Sequence, residues 1–277
     1  MIRLGTRGSA LALAQARWVA ARLGGDVELV EITTAGDLAR AAGDKSRWTG
    51  ALERALLDGE IDLAVHSAKD VPGELADGTA IAAVPARADP RDVLVGAPSL
   101  DALPEGARVG TSALRRRAQL LAVRPDLAVV ELRGNVDTRL AKLAAGEVDA
   151  LVLAAAGLAR LGRDDGDAAP LEGPVFVPAP GQGCLLVQGR SGASCGAVDD
   201  PAARAALTAE RAVVARLAAS CHTPVGVSAG VEGMRGFVGL PDGSEWLIDE
   251  APGADALAER MLSAGAAELL GRAEAMA

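Results

Sequence analysis

The sequence has no tyrosine, two phenylalanines and three tryptophans, so aromatic residues make up only 2% of its 277 positions. Its cores must therefore be built from alanine, valine and leucine. Cysteine is also scarce. Cys184, Cys195 and Cys221 are an odd number with no CxxC pair, which excludes a disulfide framework and a cysteine zinc site. His66 and His222 are the only histidines, too few for a histidine metal cluster, and no metal is expected. Lys and Arg (28) are outnumbered by Asp and Glu (37), giving a net charge of −9. That balance argues against binding nucleic acid or acidic membranes. No apolar run reaches the roughly 18 residues of a membrane span. Met1-Ile2-Arg3-Leu4 leads into a strand-like segment with no signal-peptide pattern, so a reducing cytoplasm is the expected compartment.

Half the residues are hydrophobic, and the chain is long enough for two or three small domains. Strand and helix signals alternate over the first 98 residues. Ile2–Leu4, Val27–Ile32, Ile61–Val65, Ala80–Val84 and Val93–Val95 read as strands, with helices over Ala10–Leu23 (capped by Ser9, stopped by Gly24-Gly25) and Ala51–Leu57. A second α/β unit follows from 99 to 177. Its strands are Arg108–Gly110, Leu127–Leu132 and Val148–Leu153, and its helices Ser112–Val123 and Val136–Ala145. Pro178 and Pro180 mark a hinge, and the strand at Cys184–Val187 can return to the first domain, so 178–200 is assigned there. The expected class is α/β, with two lobes around a cleft as in periplasmic binding proteins. Asp200-Pro201 starts a helix to about Ala218. Short strands and a last helix, Ala254–Leu270, complete a small α+β domain over 201–277.

The densest chemistry lies at His66-Ser67-Ala68-Lys69-Asp70-Val71-Pro72, which follows the apolar Ile61–Val65. Proline blocks regular structure there, leaving Lys69 and Asp70 at the end of a core strand, the edge where open α/β sheets bind ligands. Three strand-to-helix turns carry arginines: Thr6-Arg7-Gly8-Ser9, Gly110–Arg116 and Arg133–Arg139. Helix starts attract anions and arginine holds carboxylate or phosphate with two hydrogen bonds. One such turn is as well explained by surface ion pairs. Three together point to a small polyanion, and no turn has the GxxxxGK[ST] loop of a nucleoside triphosphate site. Gly181-Gln182-Gly183 is either a ligand-hugging turn or a plain hinge, and Asp37 is either a site residue or a solvated turn aspartate. Cys184, on an apolar strand, reads as a small core residue. Cys221, in a loop beside His222, is either another such residue or a nucleophile or attachment point, and spacing leaves both open.

In order and spacing these motifs, with Asp89-Pro90-Arg91-Asp92, Ala156-Gly157-Leu158 and Pro224-Val225-Gly226, resemble the porphobilinogen deaminase (hydroxymethylbilane synthase) family over nearly the whole chain. The resemblance implies an enzyme of tetrapyrrole (porphyrin, haem) biosynthesis. It would join porphobilinogen units head to tail with loss of ammonia and hydrolyse the chain to hydroxymethylbilane. It implies a dipyrromethane cofactor in thioether linkage to Cys221 and puts the catalytic carboxylate at Asp70. Cofactor contacts fall on Lys69, Thr111, Ser112, Arg115, Arg116, Asn135, Arg139 and Gln182, and substrate contacts on Arg7, Ser9, Arg133 and Arg160. A monomer acting on a small-molecule substrate, porphobilinogen, with no nucleic-acid or membrane partner, is expected. The chain departs from the family pattern at Ala113, usually serine, and at Ala35, often arginine. A Gly-Lys-Gly-x-Phe loop appears as Asp44-Lys45-Ser46-Arg47-Trp48. A solute-binding protein on the same lobes is a competing class, but needs neither Asp70 nor a third-domain cysteine. A non-catalytic relative would fit Ala113 but not the retained Asp70, Cys221 and arginines.

Overall fold

A computed structural model describes residues 1–35, 46–163, 168–220 and 223–276. The chain divides into two compact units, Met1–Ala88 with Gly183–Leu207, and Asp89–Gln182 with Thr208–Ala277.

The first unit is built on a five-stranded sheet. In chain order its strands are β1 (Ile2–Thr6), β2 (Val27–Glu31), β3 (Leu63–Ser67), β4 (Thr79–Ala83) and β10 (Leu185–Arg190), arranged β2-β1-β3-β10-β4. β1 runs parallel to β2 and β3, while β10 is antiparallel to both its neighbours. Helix α1 (Ala10–Leu23) starts where Ser9 Oγ accepts the Ala12 N–H at 3.3 Å and stops at Gly24, whose φ of 70° suits a residue without Cβ. Helix α2 (Ser46–Leu57) begins five residues before the expected Ala51. It buries Leu52, Ala55 and Leu56 against Ile61 and Ala64. Gly5 lets that layer close, because a Cβ there would run into the Ile61 and Leu52 side chains.

Inside this unit β3 carries a buried histidine. His66 is 6% exposed, and its Nε2 makes no hydrogen bond among the described residues. Burial pushes the imidazole down to about 4 from 6.5, with nearby Glu53 and Asp70 pulling it up and Arg7 down. The unfolded chain therefore takes up the proton first. The contribution of neutral His66 to stability is whole above about pH 6.5 and is lost as pH falls toward 4. A shift of that size corresponds to roughly 3 kcal/mol. His66→Gln is expected to flatten the decline in urea midpoint between pH 7 and pH 4.5. An unchanged slope would place the acid sensitivity elsewhere.

The second unit holds a five-stranded sheet and a three-stranded one. The larger is formed by β5 (Asp92–Val95), β6 (Arg108–Gly110), β7 (Ala128–Val130), β8 (Ala150–Ala154) and β9 (Ala168–Pro170), in the order β7-β6-β8-β5-β9. Helices α3 (Leu114–Val123), α4 (Val136–Ala144) and the short α5 (Ala155–Arg160) follow β6, β7 and β8. β5 was expected in the first domain, with the boundary at 98. Its pairing with β8 and β9 puts it in this sheet, and the chain passes from the first unit to the second after Ala88. Three apolar residues, Val93-Leu94-Val95, mark a strand without naming its neighbours.

Helix α6 (Pro201–Arg216) starts with the Asp200 carboxylate accepting the Ala203 N–H at 2.8 Å, as its Asp-Pro start predicts. The C-terminal sheet β11-β12-β13 (Val225–Gly230, Gly233–Gly239, Trp246–Ala251) is antiparallel throughout. The single last helix expected from the sequence is two, α7 (Ala254–Ser263) and α8 (Ala266–Ala275), parted at Gly265 with φ 97°. Phe237 of β12 is fully buried against Ala118, Val175 and Val177, so the C-terminal domain packs on the second lobe within one unit.

Candidate functional site

In the first unit the predicted residues leave one edge of the sheet. β1 and β3 are parallel, with Leu4 beside Leu63 and Gly5 beside Ala64. Arg7 and Ser9 therefore emerge after β1 on the side where Lys69 and Asp70 emerge after β3. Ala68–Asp70 forms one 3-10 turn, pinned by Ala68 N–H to Cys184 O (3.1 Å) and Val71 N–H to Ala68 O (3.2 Å). Gln15, buried on α1, donates to Ser67 Oγ at 2.9 Å and ties the same turn to the first helix. Asp70 is half-buried on a backbone fixed from two sides. Ser9 Oγ accepts the cap bond of α1, and its O–H can still donate. The Arg7 guanidinium lies 4.0 Å from the Trp48 ring centroid, with that of Arg47 at 5.1 Å. Such a contact contributes about 0.5–1 kcal/mol where exposed, and sequence reading did not foresee it. Asp37 and Lys45 lie outside the described residues.

In the second unit the turns after β6, β7 and β8 share one sheet edge, since the three strands are parallel. Thr111 is buried. Its N–H donates to Val130 O (3.0 Å), and its Oγ1 accepts the Ala113 N–H (3.2 Å). Arg139 Nη2 donates to Ser112 Oγ at 3.1 Å, joining two of the arginine turns. Helices α3 and α4 start at Ala113 and Asn135 with no side-chain cap, which leaves first-turn N–H groups to a ligand or water. Ala113 thus explains one open cap. Arg133 is exposed and paired with Glu131 at 2.7 Å, and Asn135 is exposed. Arg160 ends α5 half-buried.

Arg115 and Arg116 are not open turn arginines. They are 5% and 6% exposed and converge on Asp92, which is 4% exposed. Arg115 Nη1 reaches Asp92 Oδ2 at 2.7 Å, Gln119 Oε1 at 2.8 Å and Val177 O at 2.9 Å. Arg116 holds Asp92 Oδ1 through Nε and Nη2 at 3.0 and 2.8 Å, and Val152 O through Nη1 at 2.9 Å. Gln182 donates to the same Oδ1 at 2.9 Å and to Pro90 O at 2.6 Å. Burial by itself would raise the Asp92 pKa. The two guanidiniums and Gln182 outweigh it and hold the carboxyl far below the usual range. Burial lowers the Arg115 pKa, with Asp92 opposing. Glu210, fully buried on α6, fixes the Gly181 turn by accepting its N–H at 2.7 Å and ties it to the Ala229 N–H at 2.8 Å. Sequence reading gave Asp92, Gln119 and Glu210 no role. The one signal was the place of Asp92 in the Asp89-Pro90-Arg91-Asp92 motif, which named no partner for it.

Cys221 lies outside the described residues. Its flanks are tied: Ser220 Oγ donates to Glu274 Oε1 (2.7 Å), and Thr223 Oγ1 to Ser220 O (2.8 Å). Cys184 is a core residue, as read, and burial pushes the Cys195 thiol up. No cluster of three or more His, Cys, Asp or Glu suited to a metal occurs among the described residues.

Two family descriptions match the chain. "Porphobilinogen deaminase, dipyromethane cofactor binding domain" covers residues 2–195, and "Porphobilinogen deaminase, C-terminal domain" covers residues 205–271. Curated proteins called porphobilinogen deaminase are similar over most of their length. That of Roseiflexus castenholzii is 47% identical over 97% of this chain and 98% of its own. That of Deinococcus deserti is 45% identical over 88% and 87%, and that of Brevibacillus brevis 42% over 97% and 96%.

Proposed function

The chain belongs to the porphobilinogen deaminase family, and from that premise we propose that Asp70 is its catalytic carboxylate and Cys221 the anchor of its cofactor. The reaction is a transferase reaction of tetrapyrrole biosynthesis. Porphobilinogen units are condensed head to tail with loss of ammonia, and the product is hydrolysed to hydroxymethylbilane. The cofactor is dipyrromethane. When bound, it supplies the pyrrole carbon to which the first substrate unit is joined.

The donor set fits that group. Each of its rings carries an acetate and a propionate, and the second sheet edge offers uncapped helix starts, Arg139 on Ser112, and two buried guanidiniums sharing one carboxylate. Thr111, Ser112, Arg115, Arg116, Asn135, Arg139, Gln182 and, from the first unit, Lys69 are assigned to the cofactor. Arg7, Ser9, Arg133 and Arg160 are assigned to substrate. As the substrate C–N bond breaks and ammonia leaves, positive charge develops on the pyrrole. The Asp70 carboxylate accepts the pyrrole N–H and offsets that charge from a turn that does not have to reorganise. The pinned Ala68–Asp70 backbone carries this assignment.

The same reading divides the chain into two lobes and a C-terminal attachment domain. It takes the protein to be a cytoplasmic monomer binding neither nucleic acid nor membrane. The net charge of −9 disfavours nucleic acid and acidic membranes. No described helix is long and apolar enough to cross a membrane. Light scattering tests the monomer. The function is tested by incubating the protein with porphobilinogen. Ammonia release and hydroxymethylbilane formation are expected, and the absence of both from a folded, dipyrromethane-loaded protein would refute it.

Arg139→Leu is expected to block cofactor assembly, since it removes a charged donor and its bond to Ser112. Arg133→Lys should weaken turnover by roughly tenfold, the loss of one charge-assisted hydrogen bond. Unchanged kinetics and an unchanged cofactor mass increment in both variants would make these arginines ordinary surface residues.

A further inference from the structure

Charge counting around Asp92 gives an uneven sum. Two guanidiniums, on Arg115 and Arg116, share one carboxylate, and all three side chains are at least nine-tenths buried. A buried charge without a counter-ion is strongly disfavoured, so the cluster is short of one anion. Arg115 also has a side unspent. Its Nη1 takes all three acceptors, while Nε and Nη2 make no hydrogen bond among the described residues and are not sealed from solvent. Nε and Nη2 form the guanidinium edge that matches a carboxylate with two parallel bonds. Three contacts fix the direction of that edge: Asp92, Gln119 (fully buried, bridging to Val177 O at 2.8 Å), and Val177 O itself. Asp92 opens β5 beside Ala154, at the end of β8 from which α5 leaves, so it lies on the edge that carries the other predicted contacts.

We propose that Asp92 is a positioning residue: it cancels one of the two buried charges and locks Arg115 so that its Nε–Nη2 edge takes up a single ligand carboxylate. The inference rests on the reading of this edge as the cofactor site. It adds a residue and a stoichiometry to that reading. Asp92 touches no ligand and acts through Arg115, Arg116 and Gln182.

The test compares full-length Arg115→Gln, Asp92→Asn and Asp92→Glu with the parent. Cofactor content is read by intact mass. Chains expressed without porphobilinogen are followed by the shift of their thermal midpoint in sodium sulfate against sodium chloride at equal ionic strength. They are then loaded by adding porphobilinogen. Arg115→Gln should remain unloaded. Asp92→Asn leaves two uncompensated guanidiniums, so its sulfate shift should exceed that of the parent, a difference that loss of packing alone would not produce. Asp92→Glu keeps the charge but displaces it. It should fold with the parent's circular dichroism and load at least roughly tenfold more slowly, as for other groups that orient a binding residue. Equal sulfate shifts in Asp92→Asn and parent, or parental loading by Asp92→Glu, would overturn the proposal and leave Asp92 a structural ion-pair partner. If Asp92→Asn does not fold, Asp92→Glu decides. Normal loading of Arg115→Gln would remove the cofactor reading of this edge instead, an outcome distinct from failure of Asp92 alone.

Discussion

Cys221→Ser is expected to abolish activity and to lower the mass of the purified protein by two linked pyrrole units. Thioether formation needs a nucleophilic sulfur, and the hydroxyl that replaces it is far less reactive. The other two thiols are poorly suited to substitute. Cys184 is 1% exposed in the first unit's core, and burial raises the Cys195 pKa, which keeps it protonated at neutral pH. Cys184→Ala and Cys195→Ala should therefore retain both mass and turnover. Peptide mapping decides the matter: an adduct on Cys184 or Cys195, or none in active enzyme, would end the assignment.

Asp70→Asn should reduce turnover by roughly 10²–10³, the usual effect of losing one preorganised group opposite developing charge. The substitution keeps the shape of the turn, whose bonds run through the backbone of Ala68 and Val71 and not through the aspartate side chain. Loss of rate with unchanged thermal midpoint and full cofactor content would therefore be chemical in origin. Asp70→Glu should keep part of the activity, because the charge survives on a longer arm. Turnover close to that of the parent in Asp70→Asn would mean that another group stabilises the cation.

The two lobes and the C-terminal domain were legible because local signals agree with the fold. Ser9 caps α1, Asp200-Pro201 starts α6, and the short apolar runs at Ile2, Leu63 and Ala150 are strands. What was not legible depends on partners distant in sequence. β5 is found in the second sheet only through β8 and β9, more than fifty residues on. Arg115 and Arg116 read only as ligand-binding arginines of a helix-starting turn, because the Asp92 that claims them lies 23 and 24 positions away. The Arg7–Trp48 contact was hidden for the same reason. The sequence pattern marks which residues carry charge at a sheet edge. It does not mark which of those charges are already neutralised.

The place of β10 in the first sheet governs when that sheet can be completed. Among the described residues β4 has β10 as its sole strand neighbour, and β3 meets β10 on the side away from β1. Until Leu185–Arg190 has been synthesised, the backbone donors and acceptors of β4 have no strand to pair with. By then residues 89–182, which include the whole second sheet, have already been synthesised. Newly made chains should thus hold a folded second lobe while the first waits open, joined by a long-range closure that is slow by its loop entropy. Ribosome-bound chains stopped near residue 210, with β10 still held in the exit tunnel, should show β6–β8 protected from proteolysis and β4 cut. The same segment would then be the one that chaperones guard and that aggregation recruits when synthesis stalls.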